Sequence, residues 1–264
     1  MTKRPPWPEC LTVEERFDIA RARTDRLVDH FRYLIAMNEA NALVLYGPTL
    51  SEQIPRSYAA RAFNQFRNSM GMFEIVRLAA SWDGPAQDRV SVPTVIALVN
   101  SRKVVRHAAK REGRRVAAYP VPAAINPDGI QGMEKWAAEQ HQAAVEKRKT
   151  DVGEALAEAI ELSRQYAASP EMTALQDARN RFIAHNLDLS DEVTEFRHGT
   201  EEVLLNAGLE VVAKLSYALS ASDFAWDDAR RQARRDAEQL WTNCRFSLPA
   251  PPAADGDQST GLRK

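Results

Sequence analysis

Residues 12–35, TVEERFDIARARTDRLVDHFRYLI, decide how this chain folds. Thr12 followed by Glu15 is a capping box: the hydroxyl takes a first-turn amide proton while the carboxylate reaches back to the Thr12 amide. Behind it, Phe17, Ile19, Leu27, Phe31, Leu34 and Ile35 recur at mostly helical spacing. The pattern predicts one long amphipathic helix over residues 13–45. It ends in YGPTLSEQIPRS, where Gly47, Pro48 and Pro55 each interrupt a helix.

The same signals recur downstream. A second helix is predicted over residues 58–82, with Phe63, Phe66, Met70, Phe73, Val76 and Leu78 as its buried stripe. WDGPAQDRVSVP is a loop, Ser91 an N-cap, and residues 93–111 a third helix. YPVPAAINPDG holds three prolines and reads as irregular. Residues 130–168 form a long charged helical stretch with a break expected near Asp151. Ser169-Pro170-Glu171 starts another helix, with a capping Ser, Pro at the first helical position and an acid near the positive helix end. Two more are predicted over 200–219 and 222–244. No alternating strand pattern or internal repeat is present. The expectation is all-α: one helical bundle of six or seven helices over residues 12–246, with a flexible N-terminus (1–11) and a disordered tail (247–264) too poor in apolar residues to pack.

Composition narrows the function. Apolar residues make up 44% and charged residues 27%, ordinary for a folded domain, and a net charge of -1 rules out general electrostatic attraction to nucleic acid or membrane. Any nucleic-acid contact must come from a local patch. Cys10 and Cys244 lie near opposite ends, which fits a reducing cytoplasmic compartment and gives no thiolate metal site. No leader-like apolar segment and no apolar run of about 18 residues is read, so no membrane association is expected. The phosphate loops GxxxxGK[ST] and GxGxxG, the zinc motif HExxH and the nucleophile elbow GxSxG are all absent. His30, His107, His141 and His198 stand alone and read as surface or satisfied polar groups. Asp188, Asp191, Glu192 and Glu195 read as a solvated loop rather than a cation site. No cofactor and no metal are expected.

One stretch carries chemistry. In DARNRFIAHNLD (177–188), Arg179 and Asn180 precede His185, with Arg181 between them. A histidine titrating near neutrality can take the proton of a ribose 2′-hydroxyl, and a guanidinium fork can hold the phosphate that the hydroxyl attacks. On a regular helix Arg179 and His185 stand about 120° apart, whereas Arg181 stacks with His185. One helix therefore does not assemble the site alone, and a symmetric dimer would. The alternative reading makes Met172, Leu175, Phe182 and Ile183 core, with Arg179, Arg181 and His185 as an exposed edge complementing the helix dipole. In RKVVRHAAKREGRR (102–115), Arg102, Arg106 and Lys110 recur every four residues, either as a phosphate-tracking stripe or as a solvated helix face.

RNRFIAH resembles the signature of the HEPN superfamily (higher eukaryotes and prokaryotes nucleotide-binding): Arg179, the polar Asn180 and, after a short spacer, His185. FEIVRLAASWDGPAQDRVSVPTVIALV (73–99) is similar to the segment preceding that signature in abortive-infection U-type members. The resemblance spans roughly residues 12–245. It implies a dimerising all-α bundle with paired motifs in a cleft, acting as a metal-independent endoribonuclease in toxin or phage defence. Arg179 and His185 would then be catalytic, with Asn180 in support. Non-catalytic members imply the alternative, an RNA- or nucleotide-binding or dimeric interaction module. An antitoxin or regulator is a possible partner. Asn186 and Leu187 follow His185 where toxins with a modified tyrosine carry X-Tyr.

Overall fold

The computed structural model describes residues 7–54, 58–119, 133–180 and 199–247. They form α1 (Val13–Tyr46), α2 (Pro48–Glu52), α3 (Tyr58–Ser81), α4 (Val92–Val99), α5 (Arg102–Ala117), α6 (Met133–Ala167), α7 (Pro170–Ala178), α8 (Thr200–Ser220) and α9 (Trp226–Trp241). No strand occurs among the described residues. The N-terminal signals hold: both halves of the capping box form at Thr12, with Glu15 N donating to the Thr12 hydroxyl at 3.2 Å, and Ser91 and Ser169 cap α4 and α7 through their hydroxyls. Trp7 and Leu11, inside the stretch expected to be flexible, pack against the main core.

α8 is the axis of the bundle. It packs against α1 and α6, and Leu204, Leu205, Val211, Val212, Leu215 and Leu219 are all buried. By length and mean hydropathy (1.3) α8 is sufficient to cross a membrane, although no such segment is expected from the sequence; here most of its apolar side chains lie within the protein core. Gly208 brings α8 against α1, its missing side chain replaced by the ring of Phe31. α9 lies along α1, where Arg234 Nε meets the buried Glu39 carboxylate at 2.9 Å.

Three expectations are corrected. The helix expected over residues 93–111 is two helices, because Asn100 and the extended Ser101 break it. The break is stabilised from outside: the Arg16 guanidinium donates to the carbonyls of Leu98 (2.8 Å) and Ala97 (3.0 Å), which α4 leaves without helical partners. α6 runs without a break through Asp151, whose carboxylate accepts from Lys147 one turn earlier at 2.9 Å. On α3 the buried face carries Phe63, Glu74, Leu78, Ala79 and Ser81, while Phe66 and Phe73 are 46% and 50% exposed. Met70 and Val76 are half-buried. Periodicity identifies which side chains share a face, not whether anything covers that face. The stretch 119–129 and the tail fall almost wholly outside the described residues.

Candidate active site

α7 begins at the Ser169 cap and buries Met172, Ala174, Leu175 and Ala178, so two of the four side chains that the alternative reading assigns to the core, Met172 and Leu175, are buried. Arg179 keeps helical dihedrals at the C-cap, and Arg179 and Asn180 then enter a wider π-type turn, a form often found at functional sites. The constant rotation behind the 120° separation is therefore not kept at Arg179 and Asn180. Both side chains are half-buried.

The Arg179 guanidinium is held on two edges. Nε donates to Asn180 Oδ1 at 3.1 Å, and Nη1 donates to Asp83 Oδ1 at 2.5 Å. Asp83 lies 96 residues earlier, just beyond α3. Its backbone is fixed in turn: the buried Ser91 hydroxyl donates to the Asp83 carbonyl at 2.8 Å, and Ser91 and Thr94 hydrogen-bond to each other at 2.8 Å. Thr94 Oγ1 also accepts from the Ala86 amide, and Arg23 donates to the carbonyls of Ala86 and Gln87. The loop from Asp83 to Ser91 is thus a bracket that presents one carboxylate to one guanidinium. Such a pair aims the planar fork while leaving donors of the guanidinium for an oxyanion.

Arg179 and Asn180 are brought together as expected. Arg181, His185, Phe182, Ile183 and the acidic run 188–195 lie outside the described residues. Arg102, Arg106 and Lys110 line an exposed face of α5, and none forms an ion pair among the described residues. Their neighbours are paired: Arg111 with Asp18 (3.1 Å) and Arg115 with Glu112 (2.9 Å). α5 packs mainly on α6, α1, α8 and α4, so the stripe is not part of the Arg179 cluster. Asp83 is legible in the sequence only as a member of the upstream segment, with nothing local to mark it as the partner of Arg179.

The lone histidines sort by their contacts. His30 Nε2 donates to the Arg77 carbonyl at 3.1 Å and Nδ1 accepts from the Arg77 guanidinium at 2.9 Å, an arrangement that needs the neutral ring. Burial first, and then the Arg77 charge, push its pKa below the ordinary 6.5. The contribution of His30 to stability is therefore complete above about pH 6.5 and shrinks as pH falls through the lowered folded value, because the unfolded chain takes up the proton first. Urea midpoints measured from pH 8 to pH 5 should fall less in His30→Gln than in wild type. His107 packs its ring 5.4 Å from Phe17, His141 is half-buried on α6, and His198 is outside the described residues. Cys10 and Cys244 are both free thiols. Among the described residues no group of three His, Cys, Asp or Glu side chains is placed to hold a metal ion.

A family model described as AbiU2 (HEPN_AbiU2) matches residues 19–240, from the first turns of α1 into α9. The match includes both Asp83 and the Arg179 motif. No curated protein and no solved structure matches the chain.

Proposed function

Because this chain belongs to the HEPN_AbiU2 family, we propose that it is an endoribonuclease of the phage-defence type that cuts RNA without a metal ion. The observation that carries this reading is the Arg179 guanidinium, held by Asn180 and Asp83 at the end of α7, six residues before His185. In the proposed step His185 takes the proton from a ribose 2′-hydroxyl as the oxygen attacks the adjacent phosphorus. The bond from phosphorus to the 5′-oxygen breaks, and that oxygen leaves as a hydroxyl after taking up a proton. The products are a 2′,3′-cyclic phosphate and a 5′-hydroxyl. Arg179 holds the phosphate oxygens as their negative charge grows, and Asn180 keeps the guanidinium aimed. Arg102, Arg106 and Lys110 would hold the strand outside the site by its phosphates. The reading takes two copies of the chain as the working unit.

The test is incubation of the purified chain with RNA in EDTA. Products with 2′,3′-cyclic phosphate ends, lost in His185→Ala, are expected; uncut RNA, or equal cutting by the variant, would sink the proposal. One observation favours a second reading: the Asp83 carboxylate already neutralises Arg179. A binding module of this kind would hold RNA or a nucleotide without turnover, and His185→Ala would leave its function intact.

A further inference from the structure

We propose that the face of α1 adjoining the bracket loop is where a single strand of RNA runs as it leaves the Arg179 site, with Arg89 and Arg26 on its phosphates and one base stacked on Tyr33. The inference rests on the ribonuclease reading above and names the form of RNA and the surface that holds it. With a net charge of -1, any such contact needs a local patch. Three elements assemble one here. Arg89 donates to the Gly84 carbonyl at 3.2 Å, next to the Asp83 that holds Arg179. Arg23 of α1 donates to the carbonyls of Ala86 and Gln87 in the same loop. Arg26, one turn further along α1, is exposed and has no hydrogen bond or ion pair among the described residues. Arg77 of α3 reaches the same face of α1 through the His30 ring at 2.9 Å.

These cations keep their charge for a ligand. Arg23 and Arg89 are bound to backbone carbonyls, which are neutral acceptors. Burial first, then the Arg26 charge, lower the Arg23 pKa, with Asp88 opposing them. Two further carboxylates of this part of α1 are engaged elsewhere: Asp25 accepts from the Ser220 hydroxyl at 2.8 Å, and Asp29 lies 3.6 Å from Arg32. Guanidinium groups that repel one another are relieved by a polyanion. The form of the strand follows from Tyr33. It stands seven residues beyond Arg26, two turns on, within about 20° of the same line and about 10 Å along the axis. Its ring is 48% exposed, with the Arg77 guanidinium 5.9 Å from the centroid. Phosphate-binding arginines beside an exposed ring suit unpaired bases, which stack on it; the bases of a duplex are stacked on one another already.

The test uses the full chain carrying His185→Ala, so that RNA stays whole, in EDTA with labelled oligouridylate as the probe. Fluorescence anisotropy over a range of salt concentrations gives the affinity and its salt slope. Arg26→Gln should weaken binding and reduce the slope of log K against log salt by about 0.7, the share of one phosphate on a single strand. Arg89→Gln should do the same. Tyr33→Ala should weaken binding about five- to 150-fold with the slope unchanged, and Tyr33→Phe should retain it. Oligouridylate annealed to oligoadenylate should bind less tightly and be indifferent to Tyr33→Ala. All three side chains are exposed, so helix content by circular dichroism should not change. Affinities and slopes that match the parent in both arginine variants overturn the proposal, as does a Tyr33→Ala chain that binds the single strand undiminished. Binding that depends on these residues, in a chain that leaves RNA uncut even with His185 in place, would sink the ribonuclease reading alone.

Discussion

Alanine at Arg179 should slow RNA cleavage by about two to three orders of magnitude, the usual cost of removing one preorganised donor to a developing oxyanion. The loss should fall on the chemical step, because the guanidinium gains most of its interaction as charge accumulates on the phosphate. His185→Ala removes the base and should cost about 10²–10⁴-fold. Arg179→Lys should not restore the rate, since an ammonium cannot reproduce a planar fork bridging Asn180, Asp83 and a phosphate. Asp83→Asn separates aiming from neutralising. It keeps an acceptor 2.5 Å from Nη1 but removes the charge that competes with phosphate. Its RNA affinity should rise while its single-turnover rate falls, a split that lost packing alone would not produce. Single-turnover rates and binding isotherms on the four variants check this; an Asp83→Asn chain unchanged in both quantities would remove Asp83 from the site.

Gly208→Ala should destabilise the whole bundle. A Cβ at position 208 runs into the Cε1 and Cζ atoms of Phe31, well inside contact distance, and Phe31 is fully buried with no space to retreat. Overpacking of this kind costs about 1–3 kcal/mol. For a chain of this size each kcal/mol lowers Tm by about 2–4 °C. The steric origin makes a further demand. Phe31→Leu alone leaves a void between α1 and α8, but in the Gly208→Ala background it makes room for the added methyl. The double variant should therefore be more stable than the sum of the two single losses predicts, read from denaturant midpoints. Strict additivity would mean that α1 and α8 do not meet at this glycine.

Helix starts were legible in the sequence because each is a local event. Thr12 with Glu15, Ser91, and Ser169 with Pro170 satisfy amides within three residues of themselves, and all three form. The buried stripe of α1 was legible as well, since Phe17, Leu27, Phe31, Leu34 and Ile35 sit on a helix with bundle on one side. The HEPN reading was visible in Arg179, Asn180 and His185, and it agrees with the family match over residues 19–240. What local pattern missed depended on distant neighbours. The break after α4 is held by Arg16, more than eighty residues away. The unbroken run of α6 through Asp151 uses both Lys147 and the Tyr217 hydroxyl of α8.

The amino-acid sequence by itself determined that the chain is helical, where most helices begin, and which family it belongs to. Capping and periodicity are short-range, so they survive without knowledge of the partner helix. The tertiary structure alone decided that Asp83 meets Arg179, and that Phe66 and Phe73 face outward instead of into the core. Both are settled by which surfaces the packed helices leave next to one another, and no spacing along a single helix encodes that.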